Sequence, residues 1–176
     1  MRRLLLILAL AAVPFTSAIH AQSDEPQLAT VPACPSTATT DQLIAAIDSA
    51  ISGPANKDRT CFRQLFLPDA RLIPIRIAPD GTATPHTLTV QDWIDAVAKR
   101  GNTTLIEKQL NVKTETWAHL AHLWSTFETK IGEGPKAGDR GINSIQAIYD
   151  GKQWHIQEIV WQAETPADPV PAKYLP

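Results

Sequence analysis

The sequence predicts an α+β domain: about three helices on one face of a curved, mostly antiparallel sheet. Three observations predict it. Apolar residues recur at helical spacing in the first half of the chain, period-two alternation fills most of 103–161, and Asp150-Gly151 splits the last alternation into a hairpin.

The chain opens on Met1-Arg2-Arg3, continues with the apolar run Leu4–Val13 and passes through small residues to Ala21. A basic start, a short apolar stretch and a small residue at the cut describe a secretory signal peptide over residues 1–21. The run falls well short of the roughly 20 apolar residues that span a bilayer, so the mature chain is expected to carry no membrane span. The expected location is the bacterial periplasm or the medium. Cleavage removes Arg2 and Arg3 and moves the formal charge from -2 to -4, and no Lys/Arg cluster suggests a nucleic-acid partner.

Residues 22–39 are rich in Ser, Thr, Pro, Ala and Gln and read as an extended leader. Cys34 and Cys61 stand too far apart for a redox C-x-x-C pair and have no neighbouring histidine, so in an exported chain they are expected to close a disulfide. Thr39 or Thr40 caps a first helix whose Leu43, Ile44, Ile47, Ala50 and Ile51 share a face, and Gly53-Pro54 stops it. A second helix is expected over Thr60–Leu67, with Phe62, Leu65 and Phe66 inward. Thr89-Val90-Gln91-Asp92 is a capping box that opens a third, with Trp93, Ile94, Val97 and Ala98 inward, closing at Gly101. Strands are expected over Ala70–Ile77, Thr82–Leu88, Thr103–Thr116, Trp117–Lys130 and on both sides of Asp150-Gly151. The domain thus runs over 40–164, and Thr165–Pro176, with four prolines, is a tail with no reason to pack as helix or strand.

Helix, helix, "FLPDARLIPI", a third helix, then "AHLWSTFETK" and "RGINSIQAIYDGKQWHIQEIVW" resemble the nuclear transport factor 2-like superfamily, in particular its exported bacterial members of unassigned role. The resemblance covers about residues 40–163. It implies a cone whose bent sheet wraps the helices and leaves a pocket, often with dimerisation through the sheet. Enzymes of that superfamily, among them steroid isomerases, polyketide cyclases and epoxide hydrolases, do acid–base work with carboxylates, tyrosines or histidines in the cone. The first-helix tyrosine that steroid isomerases use is missing here: residues 41–52 offer only Gln42, Asp48 and Ser49 as polar inward positions. That activity is therefore not carried over.

A two-residue turn at Asp150-Gly151 would pair Tyr149 with Lys152. One face of the hairpin then holds Asn143, Ile145, Ala147, Tyr149, Trp154, Ile156, Glu158 and Val160, and its apolar middle turns it toward the helices. Asn143 and Glu158 would bring polarity to the interior, unless Glu158 sits at the open end or a bulge turns it to solvent. The expected ligand-binding residues are Asn143, Glu158, Trp93, Phe127, Tyr149, Trp154 and Ile156, around a small, partly apolar ligand. The opposite face, with Trp124, Ile148, Ile159 and Trp161, is expected to serve a homodimer, unless Tyr174 and Leu175 of the tail cover it.

The leading functional expectation is a non-catalytic binding or accessory protein. The alternative is an isomerase, dehydratase or hydrolase using Glu158 or Glu107 for general acid–base catalysis. The facing of Glu107 depends on a register the sequence leaves open. His119 and His122 point to opposite faces of a strand and cannot share an ion, and no motif calls for a metal or a cofactor. Glu128 and Arg140 are expected to form an ion pair at the base of the loop between their strands.

Overall fold

The computed structural model describes residues 33–132 and 138–176, so the expected signal peptide and the leader up to residue 32 lie outside the described residues. Helix α1 (Thr40–Ile51) starts at Thr39, whose hydroxyl accepts the Gln42 N–H while the Gln42 side chain returns to the Thr39 N–H. Its buried stripe is Leu43, Ala46, Ile47, Ala50 and Ile51. The buried Arg59 closes the helix, its Nη1 donating to the carbonyls of Ala50 (2.7 Å) and Ile51 (2.9 Å), acceptors a helix end leaves open. Strand β1 (Gly53–Pro54) follows. Helix α2 (Thr60–Gln64) is shorter than its sequence pattern because Phe66 already begins strand β2 (Phe66–Ile77). The disulfide Cys34–Cys61 is formed and joins the segment ahead of α1 to α2.

Strand β3 (Ala83–Pro85) covers part of the run expected over Thr82–Leu88; Pro74 has no N–H to return to His86, and pairing resumes where Leu88 and Leu72 exchange backbone hydrogen bonds. Helix α3 (Val90–Ala98) carries the Thr89–Asp92 capping box. Four long strands complete the chain: β4 (Thr104–Trp117), β5 (Leu120–Ile131), β6 (Arg140–Tyr149) and β7 (Trp154–Ala163). Among the described residues, seven strands form one sheet in the order β1-β4-β5-β6-β7-β2-β3, antiparallel throughout except where β2 meets β7. The core sits between the concave face and the helices, with Leu43, Ile47, Phe62, Leu72, Leu123, Ile145 and Ile156 almost fully buried.

Two bulges decide what the concave face presents. In the hairpin, Tyr149 pairs with Trp154 rather than with Lys152, because Asp150 Oδ1 accepts the backbone N–H groups of both Lys152 and Gln153 and stabilises a four-residue connection. A shift of two keeps Trp154 and Ile156 inward. Then β7 inserts an extra residue, Gln157: Ala147 faces Ile156, but Gln146 faces Glu158. Beyond the bulge every side chain of β7 changes side relative to simple alternation.

Three expectations are corrected by this one residue. Glu158 leaves the interior, by the bulge that the sequence left open as an alternative, and forms an ion pair with Arg71 of β2 on the convex side. Ile159 is buried in the core, and Trp161 packs against it from the concave face, so neither belongs to an outer contact face with Trp124 and Ile148. Of those four, Ile148 stays exposed and Trp124 is half-buried.

The C-terminal segment explains the covering of Trp124. Its residues Ala172–Tyr174 form a single 3₁₀ turn, where no helix or strand was expected, and it runs along the convex face. Thr126 Oγ1 donates to the Tyr174 carbonyl (2.6 Å), Asn111 Nδ2 donates to the Leu175 carbonyl (3.0 Å), and the Tyr174 ring lies 5.9 Å from that of Trp124. Val170 is buried and its N–H donates to Glu164, which also binds Arg140 at 2.9 Å. Arg140 therefore pairs with Glu164 and not with Glu128, although Glu128 is its cross-strand neighbour.

Candidate functional site

The concave face and the helices enclose a cavity of about 290 Å³. Its wall is mostly apolar: Ile47 and Ile51 of α1, Phe62 and Leu65 of α2, Leu72 of β2, Trp93 of α3, and Phe127, Ile156, Ile159 and Trp161 of the sheet. Phe62 stacks on Trp93 with ring centroids 4.2 Å apart and meets Phe66 at 4.8 Å, which holds α3 over the cone. Phe127 lies against Gly141, where a Cβ would stand 2.8 Å from its Cζ and 2.1 Å from the Gln162 carbonyl oxygen. Only glycine admits the ring there.

Polar groups converge on one patch of that wall. Alternation along β4 sends Leu105, Glu107 and Gln109 inward, and the bulge at Leu110 ends the run, since Gln109 faces Phe127 but Asn111 already faces Thr126. Gln109 Nε2 donates to Glu107 Oε1 at 2.9 Å. Gln109 Oε1 accepts from the Ser125 hydroxyl at 2.5 Å and from Asn143 Nδ2 at 3.2 Å. Ser125 and Asn143 are cross-strand partners on β5 and β6, both buried, so the network spans three adjacent strands.

Helix α1 completes the patch by taking the place of a further strand at the edge of β4. Ser52 Oγ accepts from Glu107 N at 3.0 Å and donates to Glu107 O at 3.2 Å, and Asp48 Oδ1 accepts from Gln109 N at 3.1 Å. These contacts fix Glu107 in the wall from behind. Burial in this apolar surrounding pushes its carboxyl up to about 7; hydrogen bonds from Gln109 and Asn143 oppose the shift and the Asp48 charge adds to it. Asp48 is likewise raised by burial, against hydrogen bonds from Gln109 and the charge of Lys108. A carboxyl that titrates near neutrality can give or take a proton under physiological conditions.

The sequence-predicted residues separate into three groups. Asn143, Trp93, Phe127, Ile156 and Glu107 line the cavity. Trp154 is buried beside it, and Tyr149 lies at the hairpin end, 5.3 Å from Trp154 between ring centroids, outside the cavity lining. Glu158 is on the far side of the sheet. Sequence reasoning missed Gln109, Ser125, Asp48 and Trp161. Gln109 could have been found two residues beyond Glu107 on the same face, and Asp48 as the acid among the inward positions of the first helix. Among the described residues no group of three His, Cys, Asp or Glu side chains gathers as metal ligands, and no helix is long and apolar enough to cross a membrane.

No protein-family model matches the chain, and no curated protein matches it in sequence. Solved structures do match it in shape. A nuclear transport factor 2-like protein of unknown function from Pseudomonas putida superposes with a TM-score of 0.51, at 9% identity, covering 74% of this chain and 86% of that one. The chain has the nuclear transport factor 2-like fold. A cystatin-like protein of unknown function from Nostoc punctiforme gives a TM-score of 0.54 at 12% identity, over 75% and 92% of the two chains. A protein of unknown function from Mycobacterium tuberculosis gives 0.55 at 17% identity, over 76% and 75%. The likeness is one of fold, and the chemistry rests on the residues within the cone.

Proposed function

We propose that this is an exported protein whose cone binds a small, largely apolar molecule, with the polar end of that molecule against Glu107 and Asn143. The observation that carries the reading is a carboxyl set among aromatic and aliphatic side chains in a cavity large enough for a small ligand. The disulfide supports an oxidising compartment, in keeping with residues 1–21 as a signal peptide and 22–39 as a leader. Native mass spectrometry on protein taken from its own export compartment tests it. A retained small molecule, lost on Glu107→Gln or on filling the space with Ile159→Trp, supports the reading; a bare chain that also fails to take up xenon in the cavity opposes it.

A second reading has one observation in its favour. A carboxyl with a pKa of about 7 is matched to general acid–base catalysis at neutral pH, and Glu107, rather than Glu158, is then the catalytic residue of an isomerase, dehydratase or hydrolase. Turnover with an inflection near pH 7, abolished in a folded Glu107→Gln variant, would select it over simple binding.

A further inference from the structure

The balance of charge inside the cone narrows the chemistry of the ligand. Gln109 donates to both acids, its backbone N–H to Asp48 and its side-chain amide to Glu107, and among the described residues neither acid is in a salt bridge. The nearby cations are engaged elsewhere. Arg59 is spent on the carbonyls of Ala50, Ile51 and Pro54, and Lys108 is exposed on the opposite face of β4. The two charged side chains left on the cavity wall, Arg100 and Asp139, are of opposite sign. From β5 and β6 only the neutral Ser125, Thr129 and Asn143 face the acids. Buried carboxyls are normally matched by a paired cation, and among the described residues no cation forms an ion pair with either of these.

The register adds aromatic rings to this acidic patch. Phe127 is the cross-strand neighbour of Gln109, and Trp161 that of Asn143, on the same concave face as Glu107. Aromatic rings beside a carboxylate are a setting that favours an organic cation, through the ring quadrupole and the full negative charge together. An anion would meet the Glu107 carboxylate there, and a neutral polar group would leave that charge unmatched.

We infer that the ligand is a cationic amphiphile, an alkyl- or arylalkyl-ammonium, whose head is held by Glu107, with the Asp48 charge behind it, beside Phe127 and Trp161, and whose apolar body fills the cavity. The inference rests on the ligand-binding reading above and names its chemical class. Binding is coupled to ionisation: the head pairs with the deprotonated Glu107, so affinity rises with pH until that carboxyl is ionised.

Calorimetric titration of the full chain with three probes of similar length tests this: 4-phenylbutyltrimethylammonium, 4-phenylbutanol and 5-phenylpentanoate, at pH 5.5 and 8.5. The first keeps its charge at both values, so any pH dependence belongs to the protein. At pH 8.5 the ammonium is expected to bind tightest and the carboxylate weakest. At pH 5.5 the ammonium is expected to bind about thirtyfold more weakly, the factor given by protonating a group of pKa about 7. In Glu107→Gln that ratio falls below about threefold, while the alcohol still binds. Asp48→Asn serves as the second variant and weakens the ammonium more than the alcohol. If the alcohol or the carboxylate matches the ammonium at pH 8.5, the cation inference fails while the ligand-binding reading survives. If none of the three binds, both fail.

Discussion

Strand β4 around Glu107 and strand β7 around Glu158 each carry a one-residue bulge, yet the two glutamates end on opposite sides of the same sheet. In β4 the bulge follows Glu107 and Gln109, so both stay on the concave face, and α1 then seals the strand edge behind them. In β7 the bulge precedes Glu158 and turns it outward to Arg71, whose side chain is 60% exposed. The position of an extra residue relative to an acid therefore decides whether that acid becomes a buried, titratable group or half of a surface ion pair. Residue type alone carries no such information.

Substitutions on either side of the β7 bulge break this comparison most sharply. Ile159→Asp places an unpaired charge in the core and is expected to cost about 4 kcal/mol or more, enough to unfold the domain, whereas Val160→Asp on the convex side is expected to cost less than about 2. Urea titrations would show it, and a reversed order of the two would mean the bulge is absent. The next largest effect concerns Glu107. Its folded-state pKa is raised, so the folded chain holds the proton more tightly than the unfolded one. The stability this gives is full below about pH 4.5 and is lost as pH rises through about 7. Glu107→Gln is accordingly expected to stabilise the fold at pH 8 by up to about 3 kcal/mol and to gain almost nothing near pH 4. Denaturant midpoints across that range check it. Glu158→Gln should cost about 1 kcal/mol, the scale of a pair whose arginine is 60% exposed, and a loss of several kcal/mol would place that acid inside after all.

Most of the fold was legible in the sequence because helix caps and alternation are local signals. Thr39 and the Thr89–Asp92 box fall where the chain says they should, and the hairpin turns at Asp150-Gly151 as expected but through four residues rather than two. The site was legible only in part. Asn143, Phe127 and Trp93 could be placed from their own elements, but Glu107 required the register between β4 and its neighbours, a long-range property. The β7 bulge did leave a mark: its large apolar residues Trp154, Ile156, Ile159 and Trp161 are spaced by two, three and two, and the interval of three is what one inserted residue produces. The tail was legible only in part: covering of Trp124 by Tyr174 and Leu175 was one of two expectations, but the contacts that hold it were not. Its proline-rich composition excludes regular ladders but not the backbone-carbonyl contacts that Thr126 and Asn111 make with it.

Following the glutamate side-chain carboxyl signals by ¹³C NMR from pH 3 to 9, with Glu107→Gln to assign the relevant one, tests the account at its centre. A single signal, missing from the variant, that titrates with a midpoint near 7 is the result expected for a carboxyl held in a dry, aromatic-lined wall. A midpoint for Glu107 at the ordinary value of about 4.5 would mean that water reaches it freely, and the cavity would lose the polar group on which its proposed role depends.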